Sequence, residues 1–111
     1  MTDRGDGDRV RHKLGSPHVE RVQDLITRYA WGEIWTRPEL DRHTRRCITL
    51  AVLATLHHDE ELAMHARAAL RNGLTREEVR EVLLQVSVYA GVSAANRAIE
   101  VAQETLRQED G

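Results

Sequence analysis

The sequence predicts an all-α fold, a compact bundle of about five to six helices assembled as a homo-oligomer. Three observations carry that expectation. Apolar residues recur at helical spacing in five successive stretches, and no stretch alternates as a half-buried strand would. Helix start and stop signals separate these stretches. The chain also has no Phe, two Trp and two Tyr in 111 residues, so its core must be built from Leu, Val, Ile and Ala. That composition suits packed helices, and this length suits one domain around one core.

Residues 1–13 carry two glycines, mixed charges and no periodicity, and read as a flexible arm. Ser16-Pro17 opens the first helix, Ser as its cap and Pro where the missing N–H costs nothing. Val19, Val22, Leu25, Ile26 and Tyr29 extend it over 17–30. Trp31-Gly32-Glu33-Ile34-Trp35 interrupts it, and Thr36-Arg37-Pro38 forms a turn. A second helix begins at Asp41 and runs to about Leu56, apolar on nearly all sides from Cys47 onward. The third spans 59–72 and stops at Asn72-Gly73, a left-handed cap pair. Thr75 and Glu78 spell a capping box that fixes the start of the fourth. Its buried stripe is Val79, Val82, Leu83, Val86 and Ala90, and Gly91 ends it. Ser93 caps the fifth, where Ala94, Ala95, Ala98, Ile99, Ala102 and Leu106 form a small-residue face. Residues 108–111 read as a frayed tail, leaving 14–107 as the folded domain.

An all-round apolar second helix and an alanine-rich fifth exceed what one small core hides. Other copies of the chain are therefore expected to cover part of them. A formal charge of −2, a pI near 6.3 and interspersed signs argue against a nucleic-acid partner. The longest apolar stretch, Cys47 to Leu56, is too short to span a bilayer, and the first residues lack a leader pattern. The cytoplasm is the expected location. Cys47 is the single cysteine, which excludes an intrachain disulfide and a C-x-x-C redox pair.

The chemistry-bearing segment is His57-His58-Asp59-Glu60-Glu61-Leu62-Ala63-Met64-His65. If it is helical throughout, His58, Glu61 and His65 fall at i, i+3 and i+7 on one face beside Met64, Ala68 and Ala69. Taken alone, such a set suggests a zinc- or iron-dependent enzyme, although no second ligand-bearing helix accompanies it. A non-catalytic helical oligomer that binds an aromatic-derived acid is a further reading. Each residue also has a plain structural role open to it: His65 as a hydrogen-bonded core histidine, His58 at a helix start, and Glu61 facing the helix dipole.

Three separated motifs carry a resemblance. They are Trp31-Gly32-Glu33-Ile34-Trp35-Thr36-Arg37-Pro38-Glu39-Leu40-Asp41, then Glu61 to Thr75 (ELAMHARAALRNGLT), then Tyr89 to Ala98 (YAGVSAANRA). In that order they resemble the carboxymuconolactone decarboxylase family, over roughly residues 10–107, and Leu14 to Val19 looks like its N-terminal motif. Ser93 stands where many members are expected to have proline. The wider alkylhydroperoxidase D-like superfamily has a C-x-x-C-x-x-x-H pattern followed by Ala four and Gly eight residues later. His65, Ala69 and Gly73 keep the second half, while His58 and Glu61 stand at the two cysteine positions. A thiol peroxidase cannot run on those side chains.

The resemblance implies an alkylhydroperoxidase D-like fold, a ring of three or six copies, and decarboxylation of 4-carboxymuconolactone to 3-oxoadipate enol-lactone in protocatechuate catabolism by the β-ketoadipate pathway. No cofactor is implied, because the departing electron pair runs through the ring onto the lactone carbonyl. The resemblance then suggests His65 as the group that polarises the carbonyl or returns the proton, with Glu33 as its partner or alternative. His58 and Glu61 support it from nearby. Arg37, Arg42, Arg45 and Arg46 are the cations in reach of the substrate carboxylates. Arg45, two residues before the buried run, is expected to point inward. Trp31 and Trp35 are expected to wall the pocket.

Overall fold

The computed structural model describes residues 17–110, with side chains from Val19 onward. The arm at 1–13 and the Ser16 cap lie outside the described residues. The chain divides into two compact units at Asp41/Arg42.

In the first unit, helix α1 (Pro17–Thr27) passes directly into a π-helical segment, Arg28–Ile34. The expected interruption at 31–35 is therefore mostly helix of wider bore. Trp35 N donates to Ala30 O, five residues back, at 2.9 Å. The wider turn rotates the side chains that follow it, and the Trp31 and Trp35 rings lie 5.0 Å apart between centroids, tilted at 41°. Thr36 Oγ1 donates to Gly32 O at 2.7 Å and Arg37 N to Ile34 O at 3.2 Å, which ends the segment in a turn. The α1 stripe reads as amphipathic, yet Val22, Leu25, Ile26 and Tyr29 are all exposed.

The second unit contains α2 (Arg42–Thr55), α3 (Asp59–Arg71), α4 (Arg76–Ala90) and α5 (Val92–Asp110). Helix α2 contacts each of the other three, and α5 packs on α3 and α4. Leu50 and Ala54, Leu62, Ala66 and Ala69, Leu74, Val79, Leu83 and Val86, and Ala98 and Ala102 form its core. The expectation that the alanine face of α5 serves another copy needs correcting. Ala94, Ala95, Ala98 and Ala102 are buried within the chain, where their small size lets α5 approach three neighbours. The apolar side chains left open in this unit are Ile48 and Val52 on α2, Leu56 just after it, Leu84, Val88 and Tyr89 on α4, and Val92 at the start of α5.

Local chemistry sets the helix ends. At the end of α3, Leu74 N donates to Ala69 O and Gly73 N to Leu70 O, with Gly73 at φ 105°. This is a Schellman cap in which glycine alone takes the left-handed conformation; Asn72 stays at φ −110°. The same pattern closes α2: His58 N donates to Leu53 O, His57 N to Ala54 O, and His57 takes φ 60° without being glycine. Helix α5 starts directly after Gly91, so Ser93 lies inside it rather than capping it. It also continues past the expected end to Asp110. Glu109 is 3.0 Å from Arg71 Nη2 and 3.3 Å from Arg67 Nε, and Asp110 pairs with Arg76.

The capping box at α4 forms as read. Glu78 N donates to Thr75 Oγ1 at 3.1 Å, and Thr75 N to Glu78 Oε1 at 2.8 Å. Glu78 also meets His43 Nε2 of α2 at 2.5 Å. The Thr75 backbone N–H, and after it His43, holds the Glu78 carboxyl below the usual carboxylate range. A lowered folded pKa gives stability that is present above the unfolded pKa and is lost as pH falls through the folded one. Thr75→Ala should cost ~1 kcal/mol in urea unfolding at neutral pH. Glu78→Gln should make the unfolding midpoint less sensitive to acidification below about pH 5. An unchanged acid limb in Glu78→Gln would remove Glu78 from that role.

Candidate functional site

Helix α3 turns Leu62, Ala66 and Ala69 fully into the core, which leaves His65 on the flank of the buried face. The His65 side chain is only 15% exposed, and Nε2 lies 3.9 Å from Oε2 of Glu61, one turn earlier. That separation exceeds a hydrogen bond, so Glu61 offers a nearby negative charge without fixing the ring tautomer. Glu61 itself is 41% exposed. Met64 and Ala68, to either side of His65 along α3, are both buried. An imidazole so placed can donate a proton or hydrogen-bond to a developing oxyanion.

His58 does not join this face. The left-handed turn at His57 ends α2, and His58 precedes α3 as its N-terminal flanking residue, at φ −85° and ψ 73°, with an exposed side chain. The i, i+3, i+7 argument needed a helix that had already begun at His58. Among the described residues no three His, Cys, Asp or Glu side chains gather in a metal-binding arrangement, so the His58/Glu61/His65 set does not form one.

The arginines also sort differently from the expectation. Arg42 is exposed and Arg45 is half-buried, with its carbonyl accepting from Thr49 Oγ1 at 2.9 Å. Arg46 is the buried one, at 8% exposure. It starts the four-residue rhythm Arg46-Leu50-Ala54 that faces the core, whereas Arg45 keeps phase with the outward Ile48 and Val52. That rhythm was legible in the sequence: extending the Leu50-Ala54 step back by four residues reaches Arg46. Helices α2 and α3 form a hairpin. Arg46 lies nine residues before the end of α2 and His65 six residues after the start of α3. At ~1.5 Å per residue their Cα heights differ by about 5 Å, on axes that ordinarily pack about 8–10 Å apart.

The remaining candidates belong to the first unit. Glu33 is exposed within the π-helical segment. Trp31 is half-buried and Trp35 buried, their rings in contact as described. Arg37 is exposed, with Nη2 3.7 Å from Glu39 Oε1.

Among the described residues, two hollows on the second unit stand out. One, of about 340 Å³, is largely apolar and lies between α4 and α5, with Leu83, Leu84, Ile99 and Leu106 in its wall. The other, of about 560 Å³, lies between α3 and α5 and is ringed by charges that include Arg67, Arg97 and Glu104. Neither borders His65.

Comparison with known proteins decides the family. Its profile matches residues 20–104, over three-quarters of the chain. The chain belongs to the carboxymuconolactone decarboxylase family. It is 44% identical over 105 residues to the 4-carboxymuconolactone decarboxylase of Acinetobacter baylyi, an alignment covering 85% of this chain and 78% of that one. It is 38% identical over 113 residues to the nitrosuccinic acid decarboxylase npaB of Metarhizium robertsii, covering 91% of this chain and 79% of that protein. Both relatives of this carboxymuconolactone decarboxylase family chain are named as decarboxylases of acids. No described helix is long and apolar enough to cross a membrane.

Proposed function

We propose that this chain decarboxylates 4-carboxymuconolactone to 3-oxoadipate enol-lactone and CO₂. The observation that carries the reading is the 44% identity, over most of both chains, to a decarboxylase of that acid. The placement of His65 supports it: a nearly buried imidazole beside apolar packing, with a carboxylate one turn away.

The reaction asks little of the protein in kind. Loss of the γ-carboxylate leaves an electron pair that flows through the ring double bond to the lactone oxygen, forming a dienolate. The substrate is its own electron sink, so this reading calls for no cofactor. His65 stabilises the charge gathering on the lactone oxygen or returns a proton to the α carbon. Glu33 is the second proton-handling group in this reading, Trp31 and Trp35 exclude water, and arginine guanidinium groups hold the carboxylates. The test is CO₂ release from enzymatically generated 4-carboxymuconolactone. Release no faster than the spontaneous background ends the reading.

The same proposal includes assembly as a homo-oligomer, a trimer or hexamer, acting in the cytoplasm. Its support is the apolar surface left open, with Leu25, Tyr29, Leu56, Leu84 and Tyr89 each more than half exposed. Light scattering at micromolar concentration should give a multiple of the 12.7 kDa chain mass, and a monomer mass would refute assembly.

A further inference from the structure

Two apolar surfaces left open on this chain differ in shape. Val22, Leu25 and Ile26 of α1, with Tyr29 in the first turn of the π-helical segment, form an exposed ridge. Their i, i+3, i+4, i+7 spacing is that of a helix whose apolar side meets a groove. The second surface is such a groove. Val79, Leu83 and Leu84 of α4 and Ile99, Ala102 and Leu106 of α5 line the hollow of about 340 Å³ between those helices. The ridge from Val22 to Tyr29 and the wall from Ile99 to Leu106 each cover seven helical steps, about 10 Å at ~1.5 Å per residue. Val88, one turn beyond Leu84, continues the open apolar row of α4.

The charges along the two surfaces also match. Arg21, Asp24 and Arg28 border one hollow of about 550 Å³ and so share one edge of the ridge, with one positive charge in excess. On the α4 rim of the groove stand Arg80 and Glu81, with Glu77 3.7 Å from Arg80, and here one negative charge is in excess. A cation–anion–cation row on the ridge thus answers an anion–cation–anion row at the groove. All six side chains are exposed, where such pairs set register and choice of partner more than strength.

We propose that α1 of one copy seats its ridge in the α4–α5 groove of a second copy of this chain, with Arg21 and Arg28 against Glu77 and Glu81. The inference rests on the assembly reading above and names the surfaces that assemble. A ridge and a groove are different surfaces, so the contact is heterologous and closes as a ring rather than as a two-fold pair. A trimer or hexamer is such a closure. A second copy is the partner that fits, because every chain carries one ridge and one groove, and a closed ring fills each of them once.

The test follows the full-length chain by light scattering through a dilution series. Wild type should hold a multiple of the 12.7 kDa chain mass at micromolar concentration. Leu25→Asp and Leu84→Asp should each raise the dissociation constant of assembly by about 100-fold. Circular dichroism should stay unchanged, because both side chains are exposed in the folded chain. Arg21→Glu with Arg28→Glu, or Glu77→Arg with Glu81→Arg, should weaken assembly about 10-fold, and all four together should restore it. These reversals carry the test if Leu84→Asp does not fold. Cross-linking shows which chain supplies the groove. In a Cys47→Ser background, a tagged Leu25→Cys chain mixed with a Leu84→Cys chain should give the mixed disulfide-linked pair on oxidation. A bond that forms only when both cysteines share one chain places the ridge in its own groove and overturns the proposal. Unchanged mass in both Asp variants, or dissociation by Val52→Asp on α2 alone, overturns these surfaces and leaves assembly standing. A monomeric wild type removes both.

Discussion

Replacing His65 by Ala should lower kcat/KM for 4-carboxymuconolactone by roughly 10²- to 10⁴-fold, the span of one positioned proton-transfer group. The expectation follows from where the imidazole is held. Helix α3 is fixed at its start by the Arg97–Asp59 contact of 2.8 Å and at its end by the Schellman cap at Gly73. Leu62 and Ala66 on either side of His65 are anchored in the core. The ring is thus carried by a rigid element, and its loss should remove chemistry rather than fold. Circular dichroism and the thermal midpoint of His65→Ala should stay near wild type. Glu61→Gln should cost less than tenfold, because a 3.9 Å separation does not lock the tautomer. If Glu61→Gln matches the loss in His65→Ala, the two work as one unit and the imidazole does not act alone. Unchanged turnover in folded His65→Ala would shift the proton chemistry to Glu33.

The same residues show how far the sequence could be read. Thr75-x-x-Glu78 and Gly73 were legible because their hydrogen bonds are local: each depends on partners within five residues. The stripes of α2 to α5 were legible because burial repeats with the helix, whereas the α1 stripe has the same spacing and stays exposed. Two local conformations were not. Neither the left-handed turn at His57 nor the wide turn ending at Trp35 leaves a signature residue, since His is an uncommon occupant of positive φ and π geometry has no composition of its own. The first decides between the two places read for His58, the α3 face and the helix start, in favour of the second. Which of Arg45 and Arg46 is the more buried was hard to read for a different reason. Both abut the apolar run, and only the phase of α2 separates them, by the 100° that one residue turns a helix. The alanine face of α5 was recognised, but small side chains fit a neighbouring helix of the same chain as well as one from another copy.

Leu62→Ala should lower the free energy of unfolding by about 3 kcal/mol, within the 2–5 kcal/mol that deletion of a buried leucine side chain costs. Leu62 is 1% exposed and belongs to the buried cluster that joins α2, α3, α4 and α5, where close packing limits how far the neighbours can fill the gap it leaves. Leu84→Ala provides the contrast: its side chain is 58% exposed, and the same atoms should cost the chain well under 1 kcal/mol. If the open face of α4 is covered by another copy, that second variant should instead weaken assembly, seen as a mass falling with dilution where the wild type holds. Urea unfolding at several protein concentrations separates the two effects. A loss below about 1 kcal/mol for Leu62→Ala would mean that the helices yield around it. His65, three residues along α3, would then lack the rigid seat that its role in proton transfer requires.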